Sequence, residues 1–374
     1  MPEIKTGIVG CGKVADLHAA GLIGAEKSRF TAVCDLDLAR AQAFAEKYRV
    51  AAFSSAEEMV KTGGVEMVTI ATPHPVHAVA TIAALDAGAH VLVEKPMASS
   101  LEDCDRMIAA ARKAGTKLGM VSQRRLYEPV RRVKDAIDAG KIGRPVLAVL
   151  TMLGWRDEGY YASDPWRGTW KGEGGGVLVN QAPHQIDILQ WYMGEIESLY
   201  GVWSNLNHPY IEVEDTALAV IRFKSGALGN IVVSNSQNPA LYGKVHVHGE
   251  NGASVGVQTD GGAMFIAGMS SITEPPYNDL WTVPGEESKL ETWRAEITEI
   301  FEQNDPMKRY HRLQIEDFLD AITDDRAPLV PGEEGRKTVE IFTAIYRSTR
   351  DRAPVMFPLT PESGRDDFDG RTPL

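Results

Sequence analysis

The chain is poor in cysteine. Its 374 residues hold three, Cys11, Cys34 and Cys104, too few and too odd a number for a disulfide framework. None has a second Cys or a His at zinc-module spacing, so no metal centre is expected. Their scarcity fits a reducing compartment, where thiols serve as small buried hydrophobes. Long apolar runs are lacking too. No stretch reaches the ~18 apolar residues of a membrane span. The start, Met1-Pro2-Glu3-Ile4-Lys5, has no charged-then-apolar secretion signal. The expected location is the cytoplasm, away from membranes. Basic residues are outnumbered, 39 Lys+Arg against 51 Asp+Glu, for a formal net charge of −12. Such a chain is a poor general ligand for nucleic acid. With 44% apolar and 24% charged residues the composition is that of a soluble globular protein rather than a disordered one. At about 150 residues per domain, the length predicts two or three domains.

What is present begins with a rhythm. Residues 1–122 alternate short apolar runs (4–9, 30–34, 50–53, 65–71, 90–94, 117–121) with helical stretches (14–24, 38–48, 55–61, 76–87, 101–113). That order predicts a parallel sheet with right-handed crossovers. After residue 123 the rhythm changes. Helices are expected at 128–139 and 181–192, a loop at 154–176, and successive strands near 145–152, 197–205, 215–223, 227–236, 243–249 and 253–258. Strands in succession point to a mostly antiparallel sheet and a second α/β domain. Residues 267–292 read as loop, 308–323 and 333–350 as helices, and 361–374 as a tail.

Gly10-Cys11-Gly12-Lys13-Val14-Ala15 joins the first strand to the first helix and has the G-x-G-x-x-A form. Gly10 allows the tight turn, Gly12 lets a pyrophosphate approach the backbone, and Ala15 allows close helix packing. The phosphates then meet the N–H groups of the helix start, including those of Lys13 and Val14. The second strand ends at Asp35, 25 residues beyond Gly10. A carboxylate there accepts bonds from the ribose hydroxyls and repels a 2′-phosphate, so the expected cofactor is NAD. Arg40 keeps NADP open. The predicted class is α/β, with a Rossmann dinucleotide-binding domain over 1–122 and a second domain over 123–360.

Three further motifs stand at predicted strand or helix ends: Ala71-Thr72-Pro73-His74-Pro75-Val76-His77, Glu94-Lys95-Pro96, and Gly174-Gly175-Gly176 leading through Asn180 to His184 and Asp187. With the closing segments Leu313–Ile322 and Ala344–Ser348, the chain from about Ile4 to Pro358 resembles the Gfo/Idh/MocA family of sugar and cyclitol oxidoreductases. The resemblance implies nicotinamide in a cleft between two domains. It implies an open C-terminal sheet whose exposed face makes a homodimer or homotetramer. It gives Lys95 contact with the reacting hydroxyl, maps the family's proton carriers onto Asn180 and His184, and suggests a cis bond at Lys95–Pro96.

Oxidising a secondary alcohol requires loss of a hydride and of a proton. His184 has a suitable ordinary pKa, about 6.5, and a cation at Lys95 stabilises a developing alkoxide. Asn180 departs from the family's usual Asp. An amide cannot take the proton, which leaves that task to His184 and gives Asn180 the orientation of a hydroxyl. Asp187 lies one turn beyond His184 and could orient the imidazole or bind a hydroxyl. Thr72, Pro73, His77, Glu94 and Lys95 are expected along the cofactor. Gln123, Arg124, Arg125 and Tyr127 follow the sixth strand, where the family places substrate contacts. Trp166 and Arg167 belong to a loop rich in Trp and Arg, suited to stacking on sugar faces and reading an anionic group. This local basicity points to an acidic sugar. His246 and His248 alternate on one strand, but no companion ligand pattern makes them a metal site. Two rival activities use the same pocket: a glycosidase that oxidises and re-reduces its sugar with bound NAD, and a regulator that binds NAD and sugar without turnover.

Overall fold

The computed structural model describes residues 3–259, 264–266, 269–271 and 274–362. The tail expected over 361–374 lies outside them from residue 363 onward. The chain divides into two compact units, each described by itself.

The first unit comprises residues 1–123 and 305–339. Its order is β1 (Ile4–Val9), α1 (Ala15–Gly24), β2 (Ser28–Cys34), α2 (Leu38–Tyr48), β3 (Ala51–Phe53), α3 (Ala56–Lys61), β4 (Met67–Ile70), α4 (His77–Asp86), β5 (His90–Val93), α5 (Leu101–Ala114) and β6 (Leu118–Met120). The helices end on local signals. Asp37 caps α2 through the N–H groups of Ala39 and Arg40, and Ser100 caps α5 through that of Asp103. Gly115, in the left-handed region, closes α5. The strands pair in parallel in the order β3-β2-β1-β4-β5-β6. This is the doubly wound order, and its reversal between β1 and β4 is where such sheets bind ligands. β4 is buried throughout, as a strand covered on both faces must be.

The second unit comprises residues 124–304 and 340–374. It holds α6 (Glu128–Asp138), β7 (Pro145–Leu153), α7 (Glu158–Ala162), α8 (Trp170–Glu173), α9 (Pro183–Met193), β8 (Ile196–Ser204), β9 (Thr216–Phe223), β10 (Leu228–Ser234), β11 (Tyr242–Gly249), β12 (Ser254–Thr259), the short pair β13 (Met264–Ile266) and β14 (Met269–Ser271), β15 (Tyr277–Trp281) and α10 (Lys289–Gln303). An eight-stranded sheet runs β15-β12-β11-β7-β10-β9-β8-β16, where β16 is Val355–Met356. Only β7 and β10 pair in parallel. Alternation along β9 buries Ala217, Ala219, Ile221 and Phe223 and exposes Leu218 and Val220.

Two helices follow, α11 (Pro306–Thr323) and α12 (Gly332–Asp351). The sequence reading put α11 with the second domain; it groups with the first. Ile315, Phe318 and Leu319 join the core formed by Ile8, Ala15, Ala19 and Leu22. Gln314 ties α11 to the sheet edge, donating to Met120 O at 2.9 Å and accepting the Ser122 N–H at 2.8 Å. Three other expectations need correction. The segment 154–176 holds the short helices α7 and α8, capped by Asp157 and Thr169. Within 267–292 lie two strands, β14 and β15, and the start of α10, a helix the sequence reading does not predict.

Candidate functional site

In the first unit, β1 delivers the glycine turn to the sheet's reversal point. Gly10 has φ +97°, and a Cβ there would lie 2.8 Å from the Ala71 carbonyl and the Thr72 nitrogen. Only glycine fits where these two loops meet. Gly12 and Lys13 are exposed, Val14 is half-buried and Ala15 is packed in the core. A Cβ on Gly12 would meet nothing within 4 Å, so a ligand has free approach to the backbone. No side chain caps the start of α1.

Asp35 organises this loop. Its Oδ2 accepts the Cys11 N–H and its Oδ1 the Asp37 N–H, both at 2.9 Å. A carboxylate has about four acceptor positions, so capacity remains for ribose hydroxyls. Arg40 Nη1 stands 3.6 Å from Asp35 Oδ2. The site fits NAD on a second observation. Thr72 Oγ1, beside Gly10, is a buried hydroxyl with no protein partner among the described residues. Pro73 is exposed beside it.

His77 has a structural place. Fully buried, it sets Nε2 2.8 Å from Thr72 O and Nδ1 2.9 Å from Pro96 O, bridging the loops after β4 and β5. Burial lowers its pKa, although both carbonyls act against this. The Lys95–Pro96 bond is cis, as the sequence suggested. Lys95 is half-buried at the end of β5.

Glu94 was expected along the cofactor; the geometry ties it to the protein. Its Oε1 is 2.9 Å from His18 Nε2 and 3.7 Å from His311 Nε2, and its Oε2 accepts the Lys95 N–H at 3.1 Å. Burial alone would raise this carboxyl, yet His18 and His311 hold it well below the usual range. The ligand-type atoms of the three lie within 4.8 Å of one another, but His18 and Glu94 are joined directly by a hydrogen bond. Sequence reasoning missed His18 and His311. The one available signal was a His one turn beyond Ala15.

In the second unit, the glycine run leads into a turn of π-helix, Val177–Gln181, and then α9. Gly176 is required there, because a Cβ would overlap the Glu214 carbonyl oxygen. Glu214 secures the turn by accepting the N–H groups of Gly176 (2.9 Å) and Leu178 (3.0 Å) and the Tyr346 hydroxyl (2.8 Å). Asn180 is half-buried and His184 is buried as the second residue of α9.

Asn180 Nδ2 donates to Glu173 Oε1 and, at 2.9 Å, to Tyr160 Oη. Glu173 is 1% exposed, and burial pushes its carboxyl up to about 7 against the hydrogen bonds from Gly168 and Asn180 and the nearby charge of Arg167. Sequence reasoning passed over Glu173, though it directly precedes the glycine run. It also passed over His208, buried with Nδ1 2.8 Å from Asp215 Oδ2 and Nε2 2.8 Å from Arg156 O.

Two substrate assignments change. Arg125 and Asp187 bind each other, Nε to Oδ2 at 2.8 Å and Nη2 to Oδ1 at 2.7 Å, and both are buried. Tyr127 is buried just before α6, while Gln123 is buried and Arg124 half-buried in the preceding turn. Arg167 bonds Asp164 at 3.2 Å and Tyr160 Oη at 2.5 Å, and its guanidinium lies 4.5 Å from the Trp166 ring. Arg125 and Arg167 are thus already engaged with the protein's own carboxylates, Asp187 and Asp164. His246 faces Asp279 at 2.9 Å, and His248 bonds Ser254.

Comparison with known proteins agrees with this architecture. Residues 4–122 match the model of an oxidoreductase family with an NAD-binding Rossmann fold, and residues 130–255 match a GFO/IDH/MocA C-terminal domain. A 1-carboxy-3-chloro-3,4-dihydroxycyclohexa-1,5-diene dehydrogenase of Comamonas testosteroni is 34% identical, over 62% of this chain and 58% of that protein. The match thus spans little more than half the length of that relative. The myo-inositol 2-dehydrogenase of Thermotoga maritima is 31% identical over 67% of this chain and 74% of its own. The crystal structure of the WlbA dehydrogenase from Bordetella pertussis, in complex with NADH and UDP-GlcNAcA, superposes with a TM-score of 0.84 at 30% identity, covering 96% of this chain and 99% of that one. By its glycine fingerprint, its two matched domains and these relatives, the chain belongs to the Gfo/Idh/MocA family of NAD-dependent oxidoreductases.

Proposed function

We propose that this chain oxidises, or in reverse regenerates, a secondary hydroxyl of a sugar or cyclitol. The observation that carries the reading is the presence of both Lys95 and His184 in a chain that superposes over nearly its full length on an NADH-bound dehydrogenase. When bound, NAD supplies the hydride acceptor. The Lys95 ammonium stabilises the negative charge that grows on the hydroxyl oxygen. His184 takes the hydroxyl proton, because the amide of Asn180 has no basic site for it. Asn180 orients the substrate. Thr72, Asp35 and the backbone at Gly12 hold the cofactor, with Asp35 favouring NAD over NADP.

The chain also forms a homodimer or homotetramer in this reading. Tyr200, Val202, Leu218, Val220, Leu228 and Leu147 are exposed on one face of the large sheet, paired across strands as Val202–Leu218, Tyr200–Val220 and Leu228–Leu147. An apolar face of this kind is the mark of a protein interface. No helix among the described residues is long and apolar enough to cross a membrane. Three buried thiols support a cytoplasmic location.

The test is a panel of cyclitols, neutral sugars and sugar acids, including myo-inositol and UDP-GlcNAcA, incubated with the protein and NAD. NADH accumulating in step with oxidised product is the expected result. Glycoside cleavage without net NADH would favour the glycosidase, and binding without turnover the regulator.

A further inference from the structure

Residue 180 is an amide where the family pattern has a carboxylate, yet a carboxyl stands against it. Glu173 Oε1 meets Asn180 Nδ2, and Glu173 Oε2 accepts the Gly168 N–H at 2.6 Å. The same Nδ2 lies 2.9 Å from Tyr160 Oη, which also receives Gln181 Nε2 at 3.1 Å and Arg167 Nη1. A terminal amide has one donor end and one acceptor end, so what it shows on one side depends on what holds the other. Ionised Glu173 only accepts. It takes the NH2 end and turns Oδ1 away from itself. Protonated Glu173 offers an O–H, which Oδ1 accepts once the amide flips.

We propose that Glu173 is a specificity-setting, positioning residue: its ionisation decides whether Asn180 presents an acceptor or a donor to a substrate hydroxyl. The inference rests on the reading, proposed above, that Asn180 faces substrate. Glu173 itself acts through Asn180.

The surroundings set where this carboxyl titrates. Burial raises it to about 7, with Glu214 adding to the rise and Gly168, Asn180 and Arg167 opposing it. Glu214 is itself raised to about 6. Tyr160 and Tyr161 remain phenols, since burial and Glu173 push both up. Arg167 is paired with Asp164, and Arg156 lies over the Tyr160 ring at 5.4 Å.

The first experiment needs no substrate. The side-chain amide signals of Asn180, identified by their loss in Asn180→Asp, are followed by 15N–1H NMR on the full chain from about pH 5.5 to about 8.5. A titration with a midpoint near 7 is expected in the wild type. It should vanish in Glu173→Gln and survive in Tyr160→Phe. No titration in the wild type, or the same titration in Glu173→Gln, overturns the proposal. Should Glu173→Gln fail to fold, Glu173→Asp takes its place, and an Asn180 titration whose midpoint does not move in that variant overturns the proposal, since it then belongs to another group such as Glu214. The second experiment uses myo-inositol and NAD. One hydrogen bond gained or lost should move KM by about five-fold across this midpoint, a step absent from Glu173→Gln, whereas the pH dependence of kcat, set by His184 as the base, should be the same in both proteins. A KM step retained in Glu173→Gln counts against the proposal. Absence of turnover with every member of the panel counts against the proposed function, and the NMR result stands apart from it.

Discussion

Arg125 and Asp187 meet fork to fork in the interior of the second unit, 62 positions apart in sequence and each 1% exposed. Neither charge has water to fall back on. The pair is therefore expected to be costly to break and cheap to replace as a whole. Asp187→Ala should destabilise the protein by about 3–5 kcal/mol, because it strands a buried guanidinium. Arg125→Met combined with Asp187→Leu should recover most of that loss. Chemical denaturation of the three variants checks it, and a silent Asp187→Ala would show that the pair is dispensable.

Lys95 and His184 separate from the rest by kinetics. Lys95→Ala and His184→Ala should each slow hydride transfer by about 10²-fold or more, while NAD affinity stays within a few-fold. Single-turnover absorbance with pre-bound NAD measures the step directly. Wild-type rates in Lys95→Ala would remove it from the chemistry.

Asp35 has two duties, and they should fail together. Asp35→Ala removes the acceptor for the Cys11 N–H as well as the proposed ribose contact. It should weaken NAD binding by about 1–3 kcal/mol, the range for leaving a buried donor unsatisfied. Because Arg40 lies beside the lost carboxylate, NADP should lose less. Calorimetric titration of both nucleotides gives the ratio.

The Glu173 carboxyl also leaves a trace in stability. Its native pKa is raised from 4.5 to about 7, so the folded state holds a proton that the unfolded chain releases between these values. Its contribution is full below about 4.5 and is lost as pH rises through about 7, a swing of about 3 kcal/mol. Glu173→Gln cannot lose a proton and should gain on the wild type with rising pH. Melting temperatures at acidic and mildly alkaline pH test the sign.

Val220, 62% exposed on the open sheet face, should report assembly. Val220→Asp places a charge where the proposed interface is apolar, and should shift the sedimentation coefficient toward that of a monomer while leaving the monomer's fold intact. An unchanged coefficient would place the interface elsewhere.

The parts legible in the sequence were those whose requirements are local. Gly10 must adopt a positive φ against Ala71, Gly176 must let the Glu214 carbonyl pass, and each leaves a glycine at a fixed offset. Parallel β strands buried on both faces read as apolar runs. The unread parts depend on partners far along the chain. Nothing near Arg125 announces Asp187, and nothing near Glu94 announces His311, which arrives on a helix more than 200 positions later. α10 escaped notice because Ile297 is its one buried residue, too little for an apolar stripe. α7 and α8 are single turns held by Asp157 and Thr169, shorter than the periodicity that would reveal them.

The imidazole of His77 touches the carbonyl of Thr72 with one nitrogen and that of Pro96 with the other. The loop proposed to hold the cofactor and the strand end that bears Lys95 thus share one rivet. Substitutions at the two ends should not add independently. A change at Thr72 made to tune cofactor grip will be transmitted to the reacting end, and engineering of this protein for a new nucleotide should treat residues 72, 77 and 95 as one inherited block.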